Sequence, residues 1–347
     1  MIIEKNITAD KIIFWATCIL TKAGLSELDA EKVSQSLVQT SLWGIDSHGI
    51  ARIPHYLSRF DVKSINTNPN FKFTKTASAT GRLDGDDGHG ILIMTSATQH
   101  AIDLAKDAGI GAVGIENSSH CGAIGLYTRM IAKEGMVGIA FTHSDSLVTP
   151  FGGNKAFFGT NPISIAFPTE NPNEPVCLDM ATSIVPWNYV MNAKRDNTQL
   201  ATGIGVDESG NETRNAADTV AVRPMAGYKG FALAFLIDML CGPLNGMAFG
   251  PEIPTMYGNL ENKRKLGSLV IVLDPEKFGG KNLIKTTGTN MINMLKSQSD
   301  EILFPGEPEY LKESKRLQDG IPITEGLEAE FAYWSKKLNV PEPEYNV

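Results

Sequence analysis

Cysteine is scarce in this sequence, with four residues in 347, and no two of them form a C-x-x-C pair. This density and spacing exclude a disulfide framework and predict reduced thiols in a cytoplasmic protein. Residues 1–5 contain an acid and a base where a secretory signal would have an apolar core. The most apolar run, 231–240, contains Asp238 and is shorter than the ~20 residues that a bilayer-spanning helix needs. We therefore expect neither a secreted nor a membrane-spanning protein.

The sequence also has fewer basic than acidic residues. The chain has 31 Lys and Arg against 39 Asp and Glu, a formal net charge of −8, and its longest basic run is the three residues 263–265. Binding to nucleic acid or to an anionic membrane needs a basic surface, so we expect neither partner. With 42% hydrophobic and 20% charged residues, the composition is that of a folded globular protein. At roughly 150 residues per domain, the length predicts about two domains.

Apolar spacing predicts helices at both chain ends and an alternating α/β middle. The predicted helices cover about 12–23, 26–43, 91–108, 122–134, a segment from 186, 230–241 (interpreted as buried), 282–295, 309–318 and 325–338. The predicted strands are 71–74, 110–116, 136–142, 163–167, 176–179, 219–222 and 269–273. We expect the two helical ends to pack together as one domain around an inserted one.

One segment, 109–114 (GIGAVG), matches the dinucleotide-binding pattern G-x-G-x-x-G. That fingerprint must end a strand and open a helix, so that the helix N-terminus meets the pyrophosphate. Here a predicted helix precedes the glycines and a predicted strand follows. We interpret Gly109 as a left-handed helix C-cap, and Gly111 and Gly114 as residues of a buried strand.

Two of the six histidines, His48 and His120, lie in Gly- and Ser-rich segments typical of loops. A loop histidine is a good candidate for acid–base chemistry. Arg52 follows His48 by four residues, so a helical elbow would present both on one face. A guanidinium beside an imidazole suits a 2-hydroxy or 2-oxo acid, because it binds a carboxylate through paired hydrogen bonds. A structural arginine paired with an acid is the alternative.

Cys121, directly after His120, raises the alternative of a thiol enzyme, although neighbouring side chains usually diverge and rarely form a nucleophile–base pair. A zinc site built from these two residues and His143 matches no zinc spacing, so we expect no metal. Small polar residues at 144–153 and 158–162 could cradle phosphates through backbone N–H groups, or could form ordinary surface turns. Lys229, at the start of a predicted helix, suits an anion.

Six motifs in one order are much more specific than any of these features alone. They are 44–52 (GIDSHGIAR), 117–122 (NSSHCG), 150–153 (PFGG) with 159–162 (GTNP), 178–182 (LDMAT), 227–230 (GYKG) and 304–307 (FPGE). Together they resemble the type-2 malate/L-lactate dehydrogenase family, which includes malate, sulfolactate and ureidoglycolate dehydrogenases. The resemblance covers nearly the whole chain.

The resemblance implies an α/β, or α+β-like, fold with a non-Rossmann cofactor domain. The sheet of that domain is expected to be mixed and largely antiparallel, and a helical domain is expected from both chain ends. We predict a substrate and dimerisation region from 1–115 with 296–347, and a nicotinamide-binding domain at 116–295. Family members are homodimers or larger assemblies, so a homodimer is expected here.

The resemblance also implies residue roles. His120 matches the proton donor and acceptor, His48 lies in the same pocket, and Arg52 holds the substrate carboxylate with Arg264 as a second arginine. The implied cofactor contacts are Ser144, Thr160, Asn161, Asp179, Met180, Ala181, Lys229, Gly306, Glu307 and Pro308. Cys121 stands where many relatives carry Phe or Ser, and Asp46 occupies a variable position, so we expect the pocket wall and the elbow to differ from those of relatives.

The expected activity is an NAD- or NADP-dependent interconversion of a 2-hydroxy acid and a 2-oxo acid. Arg264 favours a substrate with a second polar end, so malate is our first choice and ureidoglycolate follows closely. A thiol enzyme using Cys121 and a non-catalytic cofactor-binding module are the alternatives from other classes. The residues do not decide between NAD and NADP.

Overall fold

The computed structural model of the protein describes residues 5–346, and within that range it contains ten α-helices and twelve strands. The helices are α1 Ala9–Lys22, α2 Glu27–Leu42, α3 Ile53–Asp61, α4 Gly90–Ala108, α5 Gly125–Lys133, α6 Trp187–Arg195, α7 Tyr228–Cys241, α8 Lys281–Lys296, α9 Glu307–Asp319 and α10 Glu325–Leu338. The strands are β1 Lys5–Ile7, β2 Lys72–Lys75, β3 Thr80–Asp84, β4 Ile110–Ser118, β5 Val137–Thr142, β6 Ile163–Phe167, β7 Val176–Met180, β8 Gly205–Val206, β9 Glu212–Thr213, β10 Ala221–Val222, β11 Leu266–Leu273 and β12 Ile321–Ile323.

Seven strands form the central sheet, in the order β2-β3-β4-β11-β5-β6-β7. Only β3 and β4 pair in parallel; the other neighbours are antiparallel. The expected mixed, largely antiparallel sheet is therefore confirmed. Strand β11 (LGSLVIVL) is almost continuously apolar because it lies in the middle of the sheet, with α4 and α7 both packed against it.

The helical chain ends pack together, as expected. Helices α1, α2, α3 and α10 share one hydrophobic core with the β1–β12 pair. Trp15 of α1 joins the two ends directly: its indole N–H donates to Ser335 Oγ at 3.0 Å, and its ring lies 4.3 Å from that of Phe331. The boundary that we predicted at 115/116 falls inside β4, so the functional division is not a break in the sheet and remains a prediction.

One sequence interpretation was wrong: α7 is not a buried helix. Its inner residues Ala234 and Ile237 are buried, but Phe235 is 45% exposed and Leu236 is 58% exposed. The helix is apolar on every side, and a run without periodicity does not reveal that only one side is covered. No helix within residues 5–346 has both the length and the apolar character needed to cross a bilayer.

The glycines at 109–114 have structural roles, as the sequence analysis predicted. Gly109 follows the last residue of α4 with φ +82°, the left-handed conformation that closes a helix C-terminus. A Cβ on Gly111 would lie 2.0 Å from the carbonyl oxygen of Ala101, and one on Gly114 would lie 2.0 Å from Asn245 Oδ1. These glycines therefore let α4 and the segment after α7 approach opposite faces of β4.

We expect Gly111→Ala to destabilise the fold by ~1–3 kcal/mol or more, because the new methyl group would meet the backbone of α4. Denaturant unfolding would measure this as a lower midpoint. Gly326→Ala is the control, since a Cβ at that position in α10 meets no atom within 4 Å and alanine favours helices. Equal midpoints for the two variants would contradict the close packing of α4 on β4.

Candidate active site

The elbow between α2 and α3 brings the first functional candidates together. Gly44 ends α2 with φ +79°, and two 3₁₀ turns, Asp46–His48 and Ile50–Arg52, lead into α3. Gly49 between them cannot carry a side chain, because a Cβ would lie 2.1 Å from Ser41 Oγ. His48 and Arg52 consequently line the same cavity.

The second part of the site is the loop after β4. Ser119 fixes this loop against the start of α4: its hydroxyl accepts from Gly90 N at 2.8 Å and donates to Gly88 O at 2.8 Å. His120 follows at the cavity wall, and Gly122 turns the chain away with φ +71°.

A tyrosine of α3 joins the two parts. Tyr56 Oη lies 2.7 Å from His120 Nδ1, and the rings of His120 and His48 stack with centroids 5.4 Å apart. The amide of Gly122 donates to the same Nδ1 at 3.4 Å. Within residues 5–346, Nε2 of His120 has no protein hydrogen-bond partner, so it is the atom left for a ligand.

Burial and positive charge keep these imidazoles neutral. Desolvation lowers the pKa of His120 well below 6.5, and the neighbouring His48 and Arg52 lower it further. Desolvation and Arg52 lower the pKa of His48 to about 3. Burial raises the pKa of Tyr56 far above 10, so its phenol stays protonated. His120 is therefore an uncharged group near neutral pH, able to exchange a proton.

The cavity between the elbow and the sheet has a volume of about 250 Å³. Eight of the site residues expected from the sequence line it: His48, Arg52, His120, Ser144, Thr160, Asp179, Met180 and Ala181. Asn161, Arg264, Lys229 and the segment 306–308 are not among its lining residues.

Asn161 supports the cavity from behind. It is fully buried, its Oδ1 accepts from Ser144 N at 3.3 Å, and its Nδ2 donates to Ala234 O at 3.0 Å. Thr160 N in turn donates to Ser144 Oγ at 3.2 Å. The two polar segments that the sequence analysis singled out thus form one hydrogen-bonded unit attached to α7.

Asp179, on β7, faces the N-terminus of α5. Its Oδ2 accepts from Gly125 N at 2.8 Å. Burial raises the pKa of this carboxyl to about 6, although the Gly125 amide and the charge of Arg129 oppose that shift. Within residues 5–346 its other oxygen, Oδ1, has no hydrogen-bond donor, so it can accept from a ligand in the cavity.

Arg264 is buried behind the cavity wall. Its Nη2 donates to Asp145 Oδ1 at 2.7 Å, and the other carboxylate oxygen of Asp145 accepts from Met256 N at 3.0 Å. Asp145 and Met256 line the cavity, whereas the guanidinium does not. Arg264 therefore acts on the site through these two residues in this structure.

The remaining expected cofactor residues lie around the cavity. Lys229 is exposed in the first turn of α7. Gly306 precedes α9 with φ +100°, and the loop before it packs against β7 through Cys177 N, which donates to Pro305 O at 2.8 Å. The carboxylate of Glu307, at the start of α9, accepts from Phe304 N at 3.0 Å and from Lys296. Glu309, two residues further into α9, does line the cavity.

Three residues were missed by the sequence analysis: Tyr56, Tyr257 and Arg59. Tyr56 and Arg59 follow Arg52 at four and seven residues, so helical spacing from the elbow is the signal that could have found them. Tyr257 belongs to an irregular segment whose sequence carries no such signal. It lines the cavity and its hydroxyl accepts from Arg52 Nη1.

Cys121 has the properties of a packed thiol. It is 2% exposed, and burial raises its pKa to about 12, so almost no thiolate forms near neutral pH. This disfavours the thiol-enzyme alternative. Across residues 5–346, no group of three or more His, Cys, Asp or Glu side chains is arranged to hold a metal ion.

The cavity residues fit the reactive end of a nicotinamide dinucleotide. Apolar side chains such as Ile124, Met180 and Trp187 could cover a flat ring, and Asp179 could accept from an amide. The volume of about 250 Å³ is below the roughly 300–1,000 Å³ typical of small-molecule pockets, so the rest of a dinucleotide would extend outside.

Comparison with known proteins identifies the family to which the chain is similar. The family model described as malate/L-lactate dehydrogenase matches residues 7–331. The chain is 32% identical over 313 residues to ureidoglycolate dehydrogenase (NAD(+)) of Escherichia coli K12, covering 89% of each chain. It is 33% identical over 324 residues to malate/(S)-sulfolactate dehydrogenase of Methanothermus fervidus, covering 93% of this chain and 95% of that one. The structure of sulfolactate dehydrogenase from Methanocaldococcus jannaschii superposes with a TM-score of 0.89 at 31% identity, covering 96% and 98%.

The fold and the matched sequence define a 2-hydroxy acid oxidoreductase. The chain belongs to the malate/L-lactate dehydrogenase family. The fold class expected from the motifs is thereby confirmed.

The raised pKa of Asp179 makes a prediction for stability. A carboxyl whose folded pKa lies above its unfolded value of 3.8 stabilises the fold only while protonated, and this contribution is lost as the pH rises through about 6. At ~1.4 kcal/mol per pKa unit, the ionised group costs on the order of 2–3 kcal/mol at pH 8. Asp179→Asn keeps an acceptor for Gly125 and should be more stable than wild type at pH 8.

Thermal unfolding between pH 4 and pH 8 would measure this difference, which should shrink towards pH 4. Asp107→Asn, at an exposed position of α4, is the control and should follow wild type. A stability gap for Asp179→Asn that does not change with pH would show that the carboxyl is not destabilised by burial.

Proposed function

We propose that the protein is an NAD- or NADP-dependent dehydrogenase that interconverts a 2-hydroxy acid and a 2-oxo acid. The observation that carries the proposal is the cavity in which Arg52 lies beside a neutral imidazole, that of His120, with a free Nε2. A bound nicotinamide supplies the hydride acceptor or donor at this cavity. Ser144, Thr160, Asp179, Met180 and Ala181 are the residues that would hold its reactive end, with Lys229 and the 306–308 loop further out.

Arg52 is proposed to bind the substrate carboxylate. Its Nε donates to Ser47 O and its Nη1 to Tyr257 Oη, which hold the guanidinium plane in position. Nη2 and the second hydrogen of Nη1 are left for a carboxylate, and this paired arrangement is the one that guanidinium groups favour. The carboxylate would also offset the positive charge that keeps His120 unprotonated.

His120 is proposed to move the proton at Nε2. In oxidation, neutral His120 carries its hydrogen on Nδ1, which donates to Tyr56 Oη in place of accepting from Gly122 N, and the substrate hydroxyl gives its proton to Nε2. In reduction, the imidazolium returns that proton to the oxygen of the 2-oxo acid. The phenol of Tyr56 supports both states because it can donate to Nδ1 or accept from it. His48, stacked on His120, excludes water from one face of the ring.

Malate is our first candidate substrate, and ureidoglycolate is the second. The relatives named for malate, sulfolactate and ureidoglycolate support a 2-hydroxy acid but not one member of that group. We further propose a cytoplasmic homodimer in which 1–115 with 296–347 serve substrate binding and dimerisation, and 116–295 bind the cofactor. Absorbance of the reduced nicotinamide with a panel of 2-oxo acids, run with both cofactors, tests the proposal.

His120→Asn should reduce turnover by ~10²–10⁴-fold, the usual contribution of a general acid–base group. Cofactor binding should persist, because the side chain belongs to a loop and its replacement has a similar volume. Since the pKa of His120 is lowered, kcat/KM for oxidation in wild type should stay flat down to pH 6.5 and fall only in more acidic solution. The variant should lose this acidic limb.

Cys121→Ser is the matched control and should keep most of the wild-type turnover. Turnover lost in Cys121→Ser but kept in His120→Asn would instead support a thiol enzyme. Cofactor binding without turnover of any 2-oxo acid would support a non-catalytic binding module.

Arg52→Lys keeps the charge but loses the planar pair of donors. It should raise KM and lower kcat/KM by ~1.5–3 kcal/mol, the range for hydrogen bonds to charged groups. Steady-state kinetics with varied 2-oxo acid would measure the change. Unchanged kinetics would remove Arg52 from the carboxylate site.

A further inference from the structure

A second, larger cavity lies directly behind the carboxylate end of the reaction cavity. It has a volume of about 780 Å³ and lies between α3, α10 and the segment around residue 257. Arg52 and Tyr257 are the two residues that line both cavities. The side chains of Arg52 and Tyr257, the latter 48% exposed, therefore lie between the two cavities.

The backbone that carries Tyr257 is fixed from two sides. From α3, the buried Arg59 donates to Met256 O at 2.8 Å and to Thr255 O at 3.5 Å. From the other side, Met256 N donates to Asp145 Oδ2 at 3.0 Å, and Asp145 is itself held by Arg264. This segment has little freedom to move away when a ligand arrives.

The side chain of Tyr257 is positioned as well. Its hydroxyl accepts from Arg52 Nη1, and its ring meets the ring of His55 edge-on with centroids 5.6 Å apart. His55 Nε2 in turn accepts from Arg59 Nε at 3.1 Å. Both contacts hold the ring in its place between the two cavities.

We propose that Tyr257 is a specificity-determining residue that closes the reaction cavity beyond the carboxylate held by Arg52, so that the substrate must end in a free carboxylate there. A group attached to that carboxylate, as in an ester, would need the space that the phenol ring occupies. Removing the ring would join the two cavities and admit such a group into the outer one. The inference rests on the proposed function, because it takes Arg52 as the carboxylate partner.

The test compares the methyl and benzyl esters of one 2-oxo acid, which are both uncharged and differ in size. Dissociation constants would be measured by calorimetry with the oxidised cofactor present, so that no ester is reduced. Wild type should bind the benzyl ester much more weakly than the methyl ester. Tyr257→Ala should improve the ratio in favour of the benzyl ester by about tenfold or more, as expected when a steric block of several atoms is removed.

Tyr257→Phe removes the hydroxyl group but keeps the aromatic ring, so it distinguishes the two contributions. It should keep the wild-type ratio of the two esters, because the ring remains. Tyr333→Ala is the control at a residue that lines only the outer cavity, and it should also leave the ratio unchanged. Thermal unfolding of each variant would establish that it is folded.

An unchanged ester ratio in folded Tyr257→Ala, or a gain for the benzyl ester in Tyr257→Phe, would overturn the proposal. Failure of the proposed function looks different: wild type would then reduce no free 2-oxo acid in the panel, whatever the ester ratios are.

Discussion

The candidate site depends on one buried cation, the guanidinium of Arg59. Arg59 is 2% exposed, and within residues 5–346 no carboxylate is in hydrogen-bond contact with its guanidinium. The group donates instead to the carbonyl oxygens of Met256 and Asn262 at 2.8 and 3.2 Å, among others. Burial lowers its pKa to about 10, so it remains charged near neutral pH. A buried charge destabilises the fold unless it is hydrogen-bonded. Backbone carbonyl groups of the irregular segment 255–262 accept the hydrogen bonds of Arg59. These hydrogen bonds attach α3, which carries Tyr56, to the segment that carries Tyr257.

The electrostatics of the cavity follow from this concentration of arginines. Arg52, Arg59 and Arg264 surround three imidazoles, and each of His48, His55 and His120 has a lowered pKa as a result of burial and these charges. Asp145 offsets one arginine through its contact with Arg264. The site is therefore suited to bind an anion. The negative charge of that anion would stabilise an imidazolium during proton transfer.

Local signals in the sequence predicted much of this arrangement. Ser26 accepts from Asp29 N at 3.2 Å at the start of α2, and Gly109 adopts the left-handed cap that its position between a helix and a strand predicts. Such features depend on neighbouring residues alone. Periodicity failed for α7, whose sequence is apolar on every side, and for strands of two or three residues such as β8, β9 and β12, which are too short to show a pattern.

The sequence by itself determined the order of most of the longer helices and strands, the structural role of the glycines at 109–114 and the motifs that place His48, Arg52 and His120 in one family. Only the tertiary structure decided that Tyr56 meets His120, that Arg264 is turned towards Asp145 behind the cavity lining, and that Tyr257 lines two cavities. These contacts join residues 64, 119 and 205 positions apart, the last being the bond from Arg52 to Tyr257. No local sequence pattern predicts contacts between residues so far apart in the chain, because these contacts depend on how a sheet and two helical chain ends pack around each other.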